Sequence, residues 1–270
     1  MTQRTCIFCE GKGLSKEHFW PDWISNHISK SDTDKHTAKI YSGEVKSKLA
    51  LEKKTERPGN LITKKFRVVC VKCNNGWMSQ LEESVKPFIL SAIQNKHQTL
   101  NSKQVDMLAR WVVMKVLVAE QNHDGTQVTP AIDRRSFYEY SEIPCYFRVY
   151  IARHETDSEV AYHRHSTTLG LSESGPLTDM QGLERNTQSV SFLIGPLFFY
   201  VVACREENYN LCSHIKLNHL KCISPFKKTS LSMKSLKTIS QPRLAAISHA
   251  LEDLGNSPQV KYGGAWPKKD

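Results

Sequence analysis

Apolar positions along this chain fall into regular spacings in some segments and vanish in others. Between Val105 and Gln121 they are dense (Val105, Leu108, Trp111, Val112, Val116, Ala119) and wrap around a helical cylinder. Asn101 followed three residues later by Gln104 has the sequence of a capping box, so a largely buried helix is predicted there. Cys145, Phe147, Val149 and Ile151 alternate with Tyr146, Arg148 and Tyr150, the period of a half-buried strand. Val160 to Leu171 and Val190 to Ala203 read as further strands, separated by the polar stretch 172–188. The segment from Ser232 to Leu254 reads as mostly helical with a break near Pro242. Toward the N-terminus, Phe66-Arg67-Val68-Val69 is a short β-prone run and Asn74-Asn75-Gly76 marks a turn. Trp77 to Leu90 then reads as a helix, with an interruption expected near Pro87. Residues 26–60 are rich in Ser, Thr, Lys and Asp and read as an extended loop or insertion. No internal repeat is visible. The pattern predicts an α+β chain: a small module over 1–85 and a larger α+β region over 86–270.

Composition narrows the class. The 270 residues carry 39% hydrophobic and 24% charged side chains, which suits a folded chain with a real core. No apolar run approaches the length of about 18 residues that a membrane span needs. The start, MTQRTCIFCEGKG, lacks the apolar segment of a secretory signal, so a cytoplasmic location is expected. Eight cysteines are then read as free thiols or metal ligands before disulfides. The net charge of +10 points to a polyanionic partner. It is unevenly spread: Lys46 to Lys72 holds nine basic and two acidic residues, and residues 216–270 hold ten and three. The first excess leads straight into a cysteine pair, which favours phosphate contact through Lys53, Lys54, Lys64, Lys65, Arg67 and Lys72.

That pair, Cys70-Val-Lys-Cys73, has a twin in Cys6-Ile-Phe-Cys9. Each spacing presents two thiolates from one tight turn, and two such turns complete a tetrahedral zinc site. Four thiolates leave no open position for water, so such a zinc is structural. It fastens a fold too small to be stable without it.

The residues against the two pairs carry a more specific signal. After the first comes Leu14-Ser15-Lys16-Glu17-His18-Phe19-Trp20-Pro21, and after the second Asn74-Asn75-Gly76-Trp77-Met78-Ser79-Gln80-Leu81-Glu82. An acid-His dipeptide between cysteine knuckles, with Cys-x-x-Cys-Asn entering a helix, resembles the HNH endonucleases of the ββα-metal superfamily. The likeness is to the zinc-knuckle subset in which the final His is replaced by Asn, as in the phage endonuclease VII type. It covers roughly residues 4–85. The resemblance implies that His18 is the general base acting on water, a role that suits an imidazole. It also implies that Glu17 and Asn74 hold one catalytic Mg²⁺ or Mn²⁺, with Asn75 as second choice. The expected activity is hydrolysis of phosphodiesters, in DNA in preference to RNA, in bacterial defence or a mobile element. The alternative reading is a non-catalytic, zinc-stabilised factor that binds nucleic acid or protein.

The sequence departs from the family at one point. No Asn occupies the strand before Cys70 where the base-orienting residue is normally found; Asn60 is the nearest upstream. Glu82, about two turns along the helix, reads as a solvated or capping carboxylate, with support of a metal at a distance as the alternative. Cys204, Cys212, His214, His219 and Cys222 are Cys/His-rich but match no knuckle spacing, and His163 and His165 share one strand face. Trp20, Trp23 and Trp77 are candidates for base stacking or for packing around the zinc module. Region 86–270 is expected to bind DNA, pair protomers or dock a regulatory protein.

Overall fold

The computed structural model of the chain describes residues 4–28, 35–42, 50–58, 64–96, 98–122, 124–155, 160–169, 184–206, 210–225 and 230–255. Strand β1 (Leu14–His18) is followed by a 3₁₀ turn over Asp22–Asn26 and by a hairpin of β2 (Lys35–Ser42) and β3 (Ala50–Pro58). β4 (Lys65–Cys70) returns antiparallel to β1 and passes directly into α1 (Val71–Cys73). A π turn over Asn74–Met78 and α2 (Ser79–Ile93) continue it. The stretch expected to be a loop thus contains a paired ribbon. Strand pairing runs through the backbone, and a ribbon between β1 and β4 needs no alternating apolar face to advertise it.

Two further expectations are corrected here. Asn74 to Gly76 is not a turn between elements but the start of the π turn, with the break in helical dihedrals confined to Gly76 (φ −94°, ψ −113°). Pro87 does not interrupt α2. An interior proline costs roughly 3 kcal/mol; Val85, Phe88, Ile89 and Ala92 of the same helix are all buried, and that packing offsets it.

After β5 (Thr99–Leu100) comes α3 (Ser102–Ala119), whose Asn101–Gln104 capping box is formed with both hydrogen bonds, 2.8 and 3.0 Å. From Trp111 to Ala119 every residue of α3 is buried, so it is an interior helix. A shorter helix, α4 (Ala131–Tyr140), precedes β6 (Phe147–His154) and β7 (Val160–Thr167). The apolar run expected as one strand is two, β8 (Thr187–Ile194) and β9 (Leu197–Cys204), folded back at Gly195-Pro196 with Ile194 opposite Leu197. Gly195 sits at φ +53°, a left-handed conformation that suits glycine. The chain then forms β10 (Lys221–Ser224), β11 (Leu231–Ser232) and β12 (Thr238–Ile239) before α5 (Gln241–Ser248) and α6 (Ala250–Gly255). α-Helix is therefore confined to the end of the 232–254 segment, which opens on a 3₁₀ turn at Met233–Ser235. Pro242 opens α5 instead of breaking a helix, because a first-turn proline loses no hydrogen bond.

The main sheet runs β10-β6-β9-β8-β7, antiparallel, with β12 parallel to the edge of β6. Both faces are covered. Phe199, Val201 and Phe192 pack in one apolar cluster with Trp111 of α3 and with Phe8, Phe19 and Trp20 of the N-terminal segment. Phe198, Tyr200 and Val202 pack in a second with Leu244, Ile247 and Leu251 of the last helices. Double coverage is why β8 and β9 lack a polar-apolar alternation. The first cluster joins residues from both sides of position 85, which itself lies inside α2. The structure is a mixed helix-and-sheet fold, in keeping with α+β. Among the described residues no helix is long and apolar enough to cross a membrane.

Candidate metal centre and the groups around it

Cys6 to Gly11 curl into a tight knuckle. The Cys6 N–H donates to the Gly11 carbonyl (2.9 Å) and the Glu10 N–H to the Cys6 carbonyl (2.9 Å). A Cβ on Gly11 would lie 3.1 Å from Cys9 Sγ, so the knuckle closes around a residue without a side chain. The Ile7 N–H to Val68 carbonyl bond (3.0 Å) and the Val71 N–H to Gly13 carbonyl bond (3.2 Å) lace this knuckle to β4 and α1. Cys70 ends β4 and Cys73 sits one helical turn on, its N–H donating to Cys70 Sγ (3.4 Å). Cys9 and Cys70 sulfurs are 3.5 Å apart, and all four Sγ atoms lie within 4.8 Å of one another. Sulfurs at zinc-bond length on a tetrahedron stand about 3.8 Å apart, so Cys6, Cys9, Cys70 and Cys73 could bind a metal ion as they stand. Burial by itself pushes Cys70 up, but the Cys73 N–H and the neighbouring thiols outweigh it and bring Cys70 down to about 7. Burial holds Cys9 and Cys73 above the ordinary thiol range.

The β1–β4 pair sorts the Glu17-His18 dipeptide between two faces. Directly opposed residues of an antiparallel pair share a face. Glu17 lies opposite Phe66 and both are buried, whereas His18 lies opposite the exposed Lys65. Glu17, 7% exposed, places Oε1 3.0 Å from Nζ of Lys115, which α3 delivers into the same interior. Glu82 of α2 places Oε2 3.1 Å from the same ammonium, and the His18 carbonyl accepts a third bond at 3.2 Å. Lys115 is 1% exposed. Burial works against its charge, but the two carboxylates outweigh it and hold Lys115 above the ordinary lysine value.

His18 Nε2 lies 2.9 Å from Oδ1 of Asp22, the first residue of the 3₁₀ turn. A carboxylate only accepts, so the ring proton sits on Nε2 and Nδ1 is left as the basic nitrogen. Asn74 Nδ2 donates to Ser15 Oγ (3.1 Å), which in turn donates to the Val69 carbonyl (3.3 Å). The Asn74 carbonyl oxygen is left facing away from that bond, and Asn75 is exposed. Lys65, Arg67 and Lys72 are exposed, and Lys64 reaches over the Phe66 ring at 5.2 Å. Lys53 and Lys54 lie on β3 opposite Ile40 and Lys39; Asn60 lies outside the described residues.

Asp22 and Lys115 were not singled out by sequence. Asp22 had a faint signal, an acid four residues after His18 and directly after Pro21. Lys115 had a clearer one: the single charged residue in the otherwise apolar run from Trp111 to Ala119. Trp20 and Trp111 are fully buried, and Trp77 packs edge-on against Phe8 at 5.0 Å. Cys204 accepts from Thr187 Oγ1 (3.5 Å) and Cys222 donates to the Ser224 carbonyl (3.2 Å). Among the described residues the later cysteines do not gather into a metal cluster. His163 and His165 do share a face, turned toward the last helices. Burial, then the nearby His249, holds His163 below the usual imidazole value, and burial brings His165 down to about 4. Compared with family models, curated proteins and solved structures, the chain matches none.

Proposed function

We propose that this chain is a metal-dependent endonuclease of the HNH type, with zinc at Cys6, Cys9, Cys70 and Cys73 and DNA as its substrate. The observation that carries the reading is the β1–β4 pair running into a helix. It sets His18, a half-buried imidazole with an acidic partner, at the end of one strand and a four-cysteine cluster at the end of the other. Water attacking a phosphodiester gives up its proton to Nδ1 of His18, while Asp22 fixes the ring and stabilises the imidazolium that forms. The hard oxygens available for Mg²⁺ or Mn²⁺ are the Glu17 oxygen not turned to Lys115 and the Asn74 carbonyl oxygen. Their other atoms are held by Lys115 and Ser15. Ligating groups are commonly oriented in this way by partners behind them. A cation held there would supply positive charge at the scissile phosphate and the leaving oxygen. Lys65, opposite His18, with Arg67 and Lys72 further along, supplies phosphate contacts.

One observation favours the alternative, a zinc-stabilised nucleic-acid-binding factor without catalysis: Glu17 is buried and already paired with Lys115. A plasmid-nicking assay with Mg²⁺ or Mn²⁺ decides. Cleavage by the purified chain, lost in His18→Ala, supports the nuclease. If the chain binds DNA but never cuts it, the binding factor stands. Equal cutting by wild type and His18→Ala removes His18 as the base.

A further inference from the structure

On the far side of the main sheet, the edge strand β7 meets the junction of the last two helices. His163 stands in the middle of β7, opposite Ser191. His249 joins α5 to α6, and Glu252 follows in the first turn of α6. The two imidazole centroids are 4.4 Å apart and their planes inclined by 51°. His249 Nδ1 lies 3.0 Å from Glu252 Oε2. One ligand atom from each of the three falls within 4.8 Å of the other two.

A hydrogen-bonded His–Glu pair three residues apart is common on a helix surface and accounts for two of these groups. It does not account for His163. Its Nδ1 is buried and has no hydrogen-bond partner among the described residues. The ring also approaches the Ser248 backbone, and with Nδ1 unpartnered the nitrogen free to give a proton there is Nε2. An imidazole that gives its Nε2–H to a main-chain carbonyl carries its lone pair on Nδ1. Metal-ligating histidines are held in this way. Leaving such an acceptor buried without a donor is unfavourable, and a cation placed there would relieve it.

We propose that His163, His249 and Glu252 form a three-ligand site for a divalent first-row transition metal, zinc above all, with its fourth position open to water. Two imidazoles and one carboxylate are a donor set that zinc accepts. Zinc bonds to nitrogen and oxygen of about 2.0–2.1 Å put tetrahedral neighbours about 3.3–3.4 Å apart. The His249–Glu252 separation of 3.0 Å is slightly shorter than that and the other two are no more than 4.8 Å, so small side-chain rotations complete the site. The metal takes the place of the proton shared by His249 Nδ1 and Glu252 Oε2, which leaves to bulk water. His249 is 51% exposed, which gives the ion its way in. Once bound, it ties α5 and α6 to the edge of the sheet. The proposal is independent of whether the N-terminal module cuts nucleic acid.

The test is zinc K-edge absorption fine structure and zinc content on the full chain, equilibrated with zinc and freed of excess. Wild type, His249→Gln and Glu252→Gln are compared; both positions are partly exposed, and far-UV circular dichroism checks that the variants fold. The wild type is expected to show a nitrogen/oxygen shell near 2.0–2.1 Å beside any sulfur shell. Each variant should hold one zinc fewer, or bind it at least about tenfold more weakly, with that shell diminished. His163→Phe, which fills the buried face without a lone pair, should behave the same way. Equal zinc content and an unchanged shell in all three variants overturn the proposal, as does a wild-type spectrum of sulfur ligands alone.

Discussion

Replacing Lys115 by methionine tests the interior ion triad directly. The ammonium stands 3.0 Å from Glu17 and 3.1 Å from Glu82 at 1% exposure. With an effective dielectric of about 20, each contact is worth roughly 5 kcal/mol of attraction. Against this stands a desolvation penalty of several kcal/mol per ion. The net value of the triad is therefore small, but the cost of removing one member is not. Methionine keeps the volume and leaves two carboxylates facing each other beneath β1, so the variant should lose about 3–5 kcal/mol. The assay is urea unfolding at pH 7, read as a fall in midpoint at unchanged slope. The triple variant Lys115→Met, Glu17→Gln, Glu82→Gln should recover most of that loss, because no charge then remains buried. The pH dependence has a definite sign. The folded value of Lys115 lies above the ordinary 10.5, so its contribution is fully present below 10.5. It fades only as pH rises through the higher folded value. A loss under 1 kcal/mol at pH 7, or a triple variant no better than the single one, would refute the triad as described.

The remaining predictions concern the cysteine cluster and the proposed activity. Cys73→Ser should abolish stoichiometric metal in the N-terminal module, seen as zinc loss by metal analysis and new protease cleavage between residues 4 and 28. Gly11→Ala should weaken metal retention in a chelator competition, because the added Cβ falls 3.1 Å from Cys9 Sγ; unchanged retention would show that the knuckle relaxes freely. If the chain cuts DNA, His18→Ala should lower the rate by about 10²–10⁴-fold. Asp22→Asn should lower it less and shift the pH–rate profile, whereas an unshifted profile would deny Asp22 an orienting role. Lys65→Ala and Arg67→Ala should each reduce the slope of log affinity against log salt by about one unit on duplex DNA.

Much of the architecture was legible because it rests on local rules. The capping box at Asn101, the interior helix behind it and the alternating strand, which starts at Phe147 and not at Cys145, follow from spacing within a dozen residues. So does the pairing of two Cys-x-x-Cys turns, since each presents its sulfurs from one tight turn. Two of the misreadings share one cause, which is tertiary burial overriding local signals. Doubly covered β8 and β9 show no alternation and merge into one apolar run, and a well-packed α2 carries Pro87 through. The ribbon of β2 and β3 is held by backbone pairing, which composition does not report.

The site divides along the same line. Sequence alone determined which sulfurs could meet, and that an acid and an imidazole sit side by side in the chain. It did not determine that a strand's pleat turns Glu17 inward and His18 outward, or that Lys115, nearly a hundred residues on, fills the space between Glu17 and Glu82. A charge buried at long range is placed by the packing of α3 against β4 and α2, and no spacing along the chain encodes that distance. The gathering of His163, His249 and Glu252 has the same origin, since only the docking of α6 on β7 brings them together.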